Sequence, residues 1–226
     1  MLKQLAENLW TVESGMRFLG ADIALRMTVV RLSDSKLVLI SPVVLDEALV
    51  DALNQLGDIA YIVAPNLMHH LYAEQAKQHF PEAKLLVAPG LPDKRKDLAF
   101  DYVFDNHSFQ PWQGELNHFV FTALPLLNEV VFFHSASNSL IVTDLVCNIQ
   151  KADRSLFSLY LRLSGVLGKL AMSRLFRLLM RNKAHAREQL QQVLHWNFER
   201  IVMAHGEVIE QAGQQKLKEA VSWLHL

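Results

Sequence analysis

The most constraining feature of the chain is a run of short apolar segments alternating with helix-spaced ones between residues 27 and 88. Met27–Leu32 and Leu37–Ile40 are mostly apolar, contain β-branched residues, and flank the polar turn Ser33–Lys36, which reads as a hairpin. Leu45–Leu56 then carries apolar residues at 45, 49, 50, 53 and 56, a helical spacing, with Gly57 placed to cap its end. Asp58–Ala64 is a nearly continuous apolar strand, Met68–His79 reads as a helix stopped by Pro81, and Lys84–Ala88 is the next strand. Strands apolar on both faces need cover on both faces, so the order strand–helix–strand–helix–strand predicts an α/β sheet.

Farther along, Asp101–Phe104 and His118–Phe121 read as weaker strands, and Asp93–Phe100 as a loop or short helix. Glu129–His134 and Ser139–Thr143 form a second predicted hairpin about Ser135–Asn138. Glu199–Ala204 is a late strand, and Gln211–Leu224 a terminal helix with Leu217, Ala220, Val221 and Leu224 on one face. At 226 residues, 51% of them hydrophobic, the expectation is one domain over 1–226, with a helical insert at about 151–196.

That insert has its own composition. Residues 151–188 hold nine Lys and Arg against two acidic residues, in a chain whose net charge is −1. Leu156–Met180 reads as helical apart from Gly165 and Gly168, and a helical wheel groups Lys169, Arg174, Arg177 and Arg181 on one side. This basic amphipathic stretch is read as a solvated helix, a membrane-surface or self-association face, or a lid. Nucleic acid is not expected as a partner, because the whole chain is slightly acidic and aromatic residues do not interleave the basic face. One cysteine excludes a disulfide framework and Cys-rich metal sites, and Cys147 in its apolar context reads as a buried, unreactive thiol. The N-terminal stretch lacks the apolar core of an export signal, and no apolar run reaches membrane-spanning length, so a cytoplasmic protein is expected.

Chemistry is expected where polar side chains follow apolar strands, since ligands of open α/β sheets gather beyond the strands' carboxyl ends. Three such places exist. His69 and His70 follow Asp58–Ala64, Asp144 follows Ser139–Thr143, and His205-Gly206 follows Glu199–Ala204. Each alone fits a helix cap or a surface turn. Together, three imidazoles and a carboxylate suit zinc, with iron or manganese as alternatives. Asn66, His134 and Thr143 are placed to act around such an ion or its pocket, by orienting a ligand or meeting the substrate. Asn66 equally fits an Asx turn. Arg17, Arg26 and Arg31 lie near the first strand. Arg26 and Arg31 are five apart and so face opposite sides of a regular strand, where each reads as an ion pair or as a contact to an anionic substrate. Tyr61, Met68, Phe132, Phe133 and Trp196 read as core, and Trp112, with His107 in the polar loop 105–117, as a lid anchor or a small satellite core.

The chain also resembles a family. The stretches Arg26–Leu32, Ser41-Pro42, Ala64–Leu71, Ala88–Leu91, Glu129–His134, Leu140–Leu145 and Ala204–Gly206 look like the metallo-β-lactamase superfamily. More closely, they resemble a branch of it, a domain of unknown function with no assigned activity, over roughly residues 8–222. The resemblance implies an αββα sandwich. It implies that Asp144 and His205 match metal ligands, with His69-His70 in place of the motif's last Asp-His pair. The two earlier motif histidines fall on Pro65 and Leu67, which cannot bind metal through their side chains. One metal ion rather than two is therefore implied. Two functions follow. One is a metal-dependent hydrolase acting on an ester, amide or phosphoester of a small-molecule substrate. The other is a non-catalytic binding or scaffold protein with a degenerate metal site.

Overall fold

A computed structural model describes residues 1–18, 21–106, 111–112, 114–151 and 156–225, and for 16–18, 21–22 and 156 the backbone alone. His107 and Arg154 therefore lie outside the described residues, as does the Arg17 side chain.

Two sheets face each other, each backed by helices. The first has seven strands in sequence order: β1 (Lys3–Ala6), β2 (Leu9–Phe18), β3 (Ala21–Arg31), β4 (Lys36–Ile40), β5 (Asp58–Ala64), β6 (Lys84–Val87) and β7 (Tyr102–Val103). The pairings from β1 to β4 are antiparallel and those from β4 to β7 parallel. The second sheet has the order β11-β10-β9-β8, from β8 (Leu116–Phe121), β9 (Glu129–His134), β10 (Ser139–Ile141) and β11 (Arg200–Val202). Its β10 and β11 are parallel.

Strand alternation builds the layers. In β4, Leu37 and Leu39 point to the helices α1 (Glu47–Leu56) and α2 (Ala73–His79), while Val38 and Ile40 point between the sheets. Ile62 and Val63 of β5, and Leu85 and Leu86 of β6, divide in the same way. In the second sheet Val130, Phe132, Ile141 and Val202 face the first sheet. Val131, Leu140 and Ile201 face α6 (Lys183–Leu194) and α7 (Gly213–Ala220). The result is the expected αββα sandwich.

Three local expectations are corrected. The helix expected at Met68–His79 starts only at Ala73, because the Asn66 side-chain oxygen accepts from the Met68 and His69 amides and holds a turn there. The helical reading of Leu156–Met180 breaks into α4 (Leu156–Ser164) and α5 (Arg174–Leu179). Gly165 and Gly168 take φ of 76° and 79°, and the chain between the helices returns to bridge Ile149 and Cys147. Lys169, Arg174, Arg177 and Arg181 thus share no helix face. Arg177 instead donates to the Met172 carbonyl and lies over the Trp223 ring. Finally, Trp112 belongs to the inter-sheet core rather than to a satellite one, edge-on to Tyr61 at 5.2 Å.

α3 (Leu91–Lys94) lies within the stretch read as a loop or short helix and just before it. No element was assigned to residues 1–26, which form β1, β2 and the first half of β3. Among the described residues no helix is long and apolar enough to cross a membrane.

Candidate metal centre

β10 and β11 run parallel in the second sheet, and the segments that follow them meet the segment that follows β5 of the first sheet. The segment after β5 turns at Asn66 and points His69 inward. β10 ends into Thr143-Asp144. β11 leads through Met203-Ala204 to His205. The three side chains meet. His69 Nε2 lies 3.2 Å from His205 Nε2 and 3.3 Å from Asp144 Oδ2, and His205 Nε2 lies 3.4 Å from Asp144 Oδ1. One ligand atom from each falls within 4.8 Å of the others, the one such grouping of His, Cys, Asp and Glu found among the described residues.

Each of the three is held from behind. His205 Nδ1 lies 3.1 Å from the Ala24 carbonyl, which accepts only, so Nδ1 carries the proton and Nε2 of the neutral ring is a lone-pair donor. His69 Nδ1 pairs with the Ser41 hydroxyl at 2.8 Å. Asn66 is fully buried, and its amide nitrogen donates to Asp144 Oδ2, Thr143 Oγ1 and Glu129 Oε2 at 2.9, 2.9 and 3.2 Å. Asn66 thus makes the Asx turn through its oxygen and holds Asp144 through its nitrogen. Thr143 lies beside the cluster as expected.

Glu129 is the residue that sequence reasoning missed. Fully buried at the start of β9, it accepts from the backbone amides of Thr143, Asp144 and Leu145 at 2.8, 2.8 and 3.0 Å. The turn that presents Asp144 is wrapped around this carboxylate. Burial first, and then the Asp144 charge, push Glu129 above the usual carboxylate range. Burial also works against an ionised Asp144, but the His69 and His205 imidazoles outweigh it and hold Asp144 well below that range. For His69, burial favours the neutral ring, yet Asp144 raises its pKa overall. The signal available in the sequence was a lone acid opening the apolar run Glu129–Phe133, since a buried acid must be fully paired.

The other candidates lie elsewhere. His70 does not join the cluster: its Nδ1 lies 3.3 Å from Arg95 Nη1, and burial, Lys94 and Arg95 lower its pKa. Consecutive residues in a turn diverge, so one histidine of the pair points in and the other away. His134 corrects the expectation of a neighbouring role. It is paired with Ser139 at the start of β10, the opposite end from Asp144, and its Nδ1 bonds the Ser137 hydroxyl.

Arg26 and Arg31 face opposite sides, as expected. Arg31 lies over Trp10, whereas Arg26 is buried and donates to the carbonyls of Met203 and Gly206 and to Glu13. Gly206 has φ of 90°, and a Cβ there would sit 2.1 Å from the Asn148 carbonyl oxygen, so the turn after His205 requires glycine.

The donor set fits a cation. Two buried carboxylates, Glu129 and Asp144, share the Asn66 amide, and among the described residues neither is paired with Lys or Arg. A divalent ion would neutralise both. One ligand atom from each of His69, Asp144 and His205 lies within 4.8 Å of the others, close enough for one cation to be shared by two imidazoles and a carboxylate.

The cluster opens on a cavity of about 510 Å³. Its walls come from β3 (Ile23, Leu25), the turn at Met68–Tyr72, and the insert (Phe157, Tyr160, Leu161, Val166, Phe176). Met68, expected in the core, is instead 43% exposed beside it. Cys147 also lines the cavity, and burial, with Asp144 and Glu129, raises its thiol pKa well above the ordinary value. Its apolar context in the sequence suggests full burial, but the residue is only half-buried.

The family described as "Domain of unknown function (DUF4336)" matches residues 6–169. The chain belongs to this family. Comparison of this DUF4336 protein with curated proteins gives no sequence match. Its fold matches solved structures closely. A metallo-β-lactamase from Pontibacter korlensis is 15% identical, with a TM-score of 0.68 over 100% of this chain and 98% of that one. A metallo-β-lactamase from Hirschia baltica is 11% identical, with a TM-score of 0.64 over 99% and 96%. The metal-soaked Flv1 flavodiiron core from Synechocystis sp. PCC6803 is 14% identical, with a TM-score of 0.65 over 100% of this chain and 60% of that one. At these identities the likeness establishes the metallo-β-lactamase fold.

Proposed function

We propose that this DUF4336 protein is a metal-dependent hydrolase holding one divalent cation through His69, Asp144 and His205. The observation that carries this reading is the pair of buried carboxylates without a Lys or Arg partner among the described residues, beside two imidazoles with ligand nitrogens directed at one point. Two imidazole nitrogens and a carboxylate oxygen suit zinc best, with iron and manganese as alternatives. A cation bound there lowers the pKa of a coordinated water and polarises a carbonyl.

The chain's own residues do the rest. Ser41 and the Ala24 carbonyl fix the two rings. Asn66 and Glu129 fix the carboxylate. All three side chains lie on the cavity wall, so a cation held by them would be reached from the cavity. Pro65 and Leu67 offer no ligands for a second ion.

The test is metal analysis of protein purified without added metal or chelator. About one divalent ion per chain is expected, lost in His205→Ala and Asp144→Ala and kept in His70→Ala, whose ring belongs to no cluster. Less than about 0.2 ion per chain in folded material, with no uptake of added zinc, favours the non-catalytic binding role instead.

A further inference from the structure

We propose that the cavity takes an uncharged hydrocarbon chain, so that the substrate is a carboxylic ester or thioester of a chain-bearing acyl group. This substrate class rests on the hydrolase reading above. Among the described residues, no charged side chain lines the cavity apart from Asp144 and the two histidines. A phosphoester or a sugar placed there would lose its hydration without gaining a partner. Leu25, Leu71, Phe157, Leu161, Val166 and Phe176 supply the wall such a chain needs.

The second observation is Ser173. It is 7% exposed, it lines the cavity, and among the described residues its buried hydroxyl has no hydrogen-bond partner. A buried hydroxyl left unpaired beside an apolar cavity gains a partner when a bound molecule brings an oxygen within its reach. Hydrolysis then breaks the bond between the acyl carbon and the ester oxygen or thioester sulfur. The water oxygen bonds the acyl carbon, and one water proton leaves with the alcohol or thiol.

The experiment separates chain binding from turnover. Straight-chain 1-alkanols from butanol to decanol are titrated calorimetrically into metal-free and zinc-loaded protein. Nitrophenyl esters from acetate to decanoate are assayed with the zinc form. Affinity for the alkanols rises by up to about fourfold per methylene in both forms, and kcat/KM for the esters rises in parallel. Leu161→Arg flattens both series. Leu175→Trp, on the half-exposed rim and harmless to folding, weakens the longest members most. Ser173→Ala lowers affinity for every alkanol by a similar factor. Alkanol affinity that does not change with length overturns the proposal, even if zinc is bound and acetate is cleaved. Length-dependent binding without metal or turnover sustains the chain site and removes the hydrolase reading.

A separate observation concerns the outer surface of α4 and α5. Leu159, Leu163, Leu175 and Leu178 are 54, 65, 46 and 80% exposed. Arg162, Lys169, Arg174 and Arg181 are exposed among them, and no Asp or Glu occurs between Leu156 and Arg187. From this pairing of bare leucines with uncompensated positive charge, we infer that the face rests on an anionic bilayer surface.

Sedimentation with phosphatidylcholine vesicles, with and without phosphatidylglycerol, tests it. Binding is expected only to the phosphatidylglycerol vesicles, lost in high salt, weakened about fivefold for each of these four cations replaced by Gln, and weakened by Leu178→Asp. No binding at low salt overturns the inference. So does concentration-dependent self-association abolished by Leu178→Asp, which assigns the face to a second copy of the chain.

Discussion

Glu129→Ala is expected to cost the fold about 4 kcal/mol or more, a large part of the roughly 5–15 kcal/mol that holds a typical domain together. The carboxylate is the acceptor for three consecutive backbone amides, Thr143, Asp144 and Leu145, and for the Asn66 side chain, all out of reach of solvent. Each donor left without a partner costs about 1–3 kcal/mol. Glu129→Gln keeps the shape and one acceptor oxygen but turns an NH2 toward an amide N–H, so its loss is smaller and still measurable. Urea denaturation of the metal-free variants gives the numbers, and a loss below about 1 kcal/mol for the Ala variant contradicts this role. The same turn presents Asp144. Zinc affinity therefore falls by about 10- to 100-fold in variants that still fold, the usual cost of losing a ligand's support.

Glu129 also shows why parts of the molecule were legible in the sequence and parts were not. β4, β5 and β6 are buried on both faces, so nearly every residue is apolar and the pattern is plain without any partner in view. His69, Asp144 and His205 were legible as single residues after strands, because the carboxyl-end rule needs only local order. What the order does not carry is rotation within a turn. His69 and His70 were equivalent as sequence, and only the Asn66 amide bonds decide which ring points inward. Glu129 and Arg26 act across 14 and 180 residues, on the Thr143 amide and the Gly206 carbonyl, so the local pattern marks them as unusual without naming their partners. β1 and β2 were invisible for another reason. Ser14 stands where the alternation of Trp10 and Val12 calls for an apolar residue, so the ladder with β3 holds the strand more than its own pattern does. The insert failed in the opposite direction. Its leucines have helical spacing throughout, but Gly165 and Gly168 are left-handed and the chain between α4 and α5 closes bridges to Cys147 and Ile149. That break is what puts Val166 and Ser173, as well as α4 and α5, on the cavity wall.

Arg26→Met is expected to cost about 2–5 kcal/mol and to loosen the centre at the same time. The guanidinium reaches from β3 across to the second sheet, where it donates to the carbonyls of Met203 and Gly206, the residues on either side of Ala204-His205. Removing it leaves two carbonyls in the sandwich without their donor, and Met fills the space without replacing the bonds. Arg26→Lys does little better, because a single ammonium lacks the planar fork that spans both acceptors while also meeting Glu13. Glu13, whose side chain is 57% exposed, is the lesser partner, and Glu13→Gln changes stability by less than about 1 kcal/mol. The contrast between the two variants isolates the clamp from the ion pair. With the clamp gone, His205 keeps only the Ala24 carbonyl to orient its ring, so zinc affinity drops along with stability in Arg26→Met and stays unchanged in Glu13→Gln. Equal losses of stability and zinc affinity in the two variants would mean that the salt bridge, rather than the grip on the Met203 and Gly206 carbonyls, holds the third ligand in place.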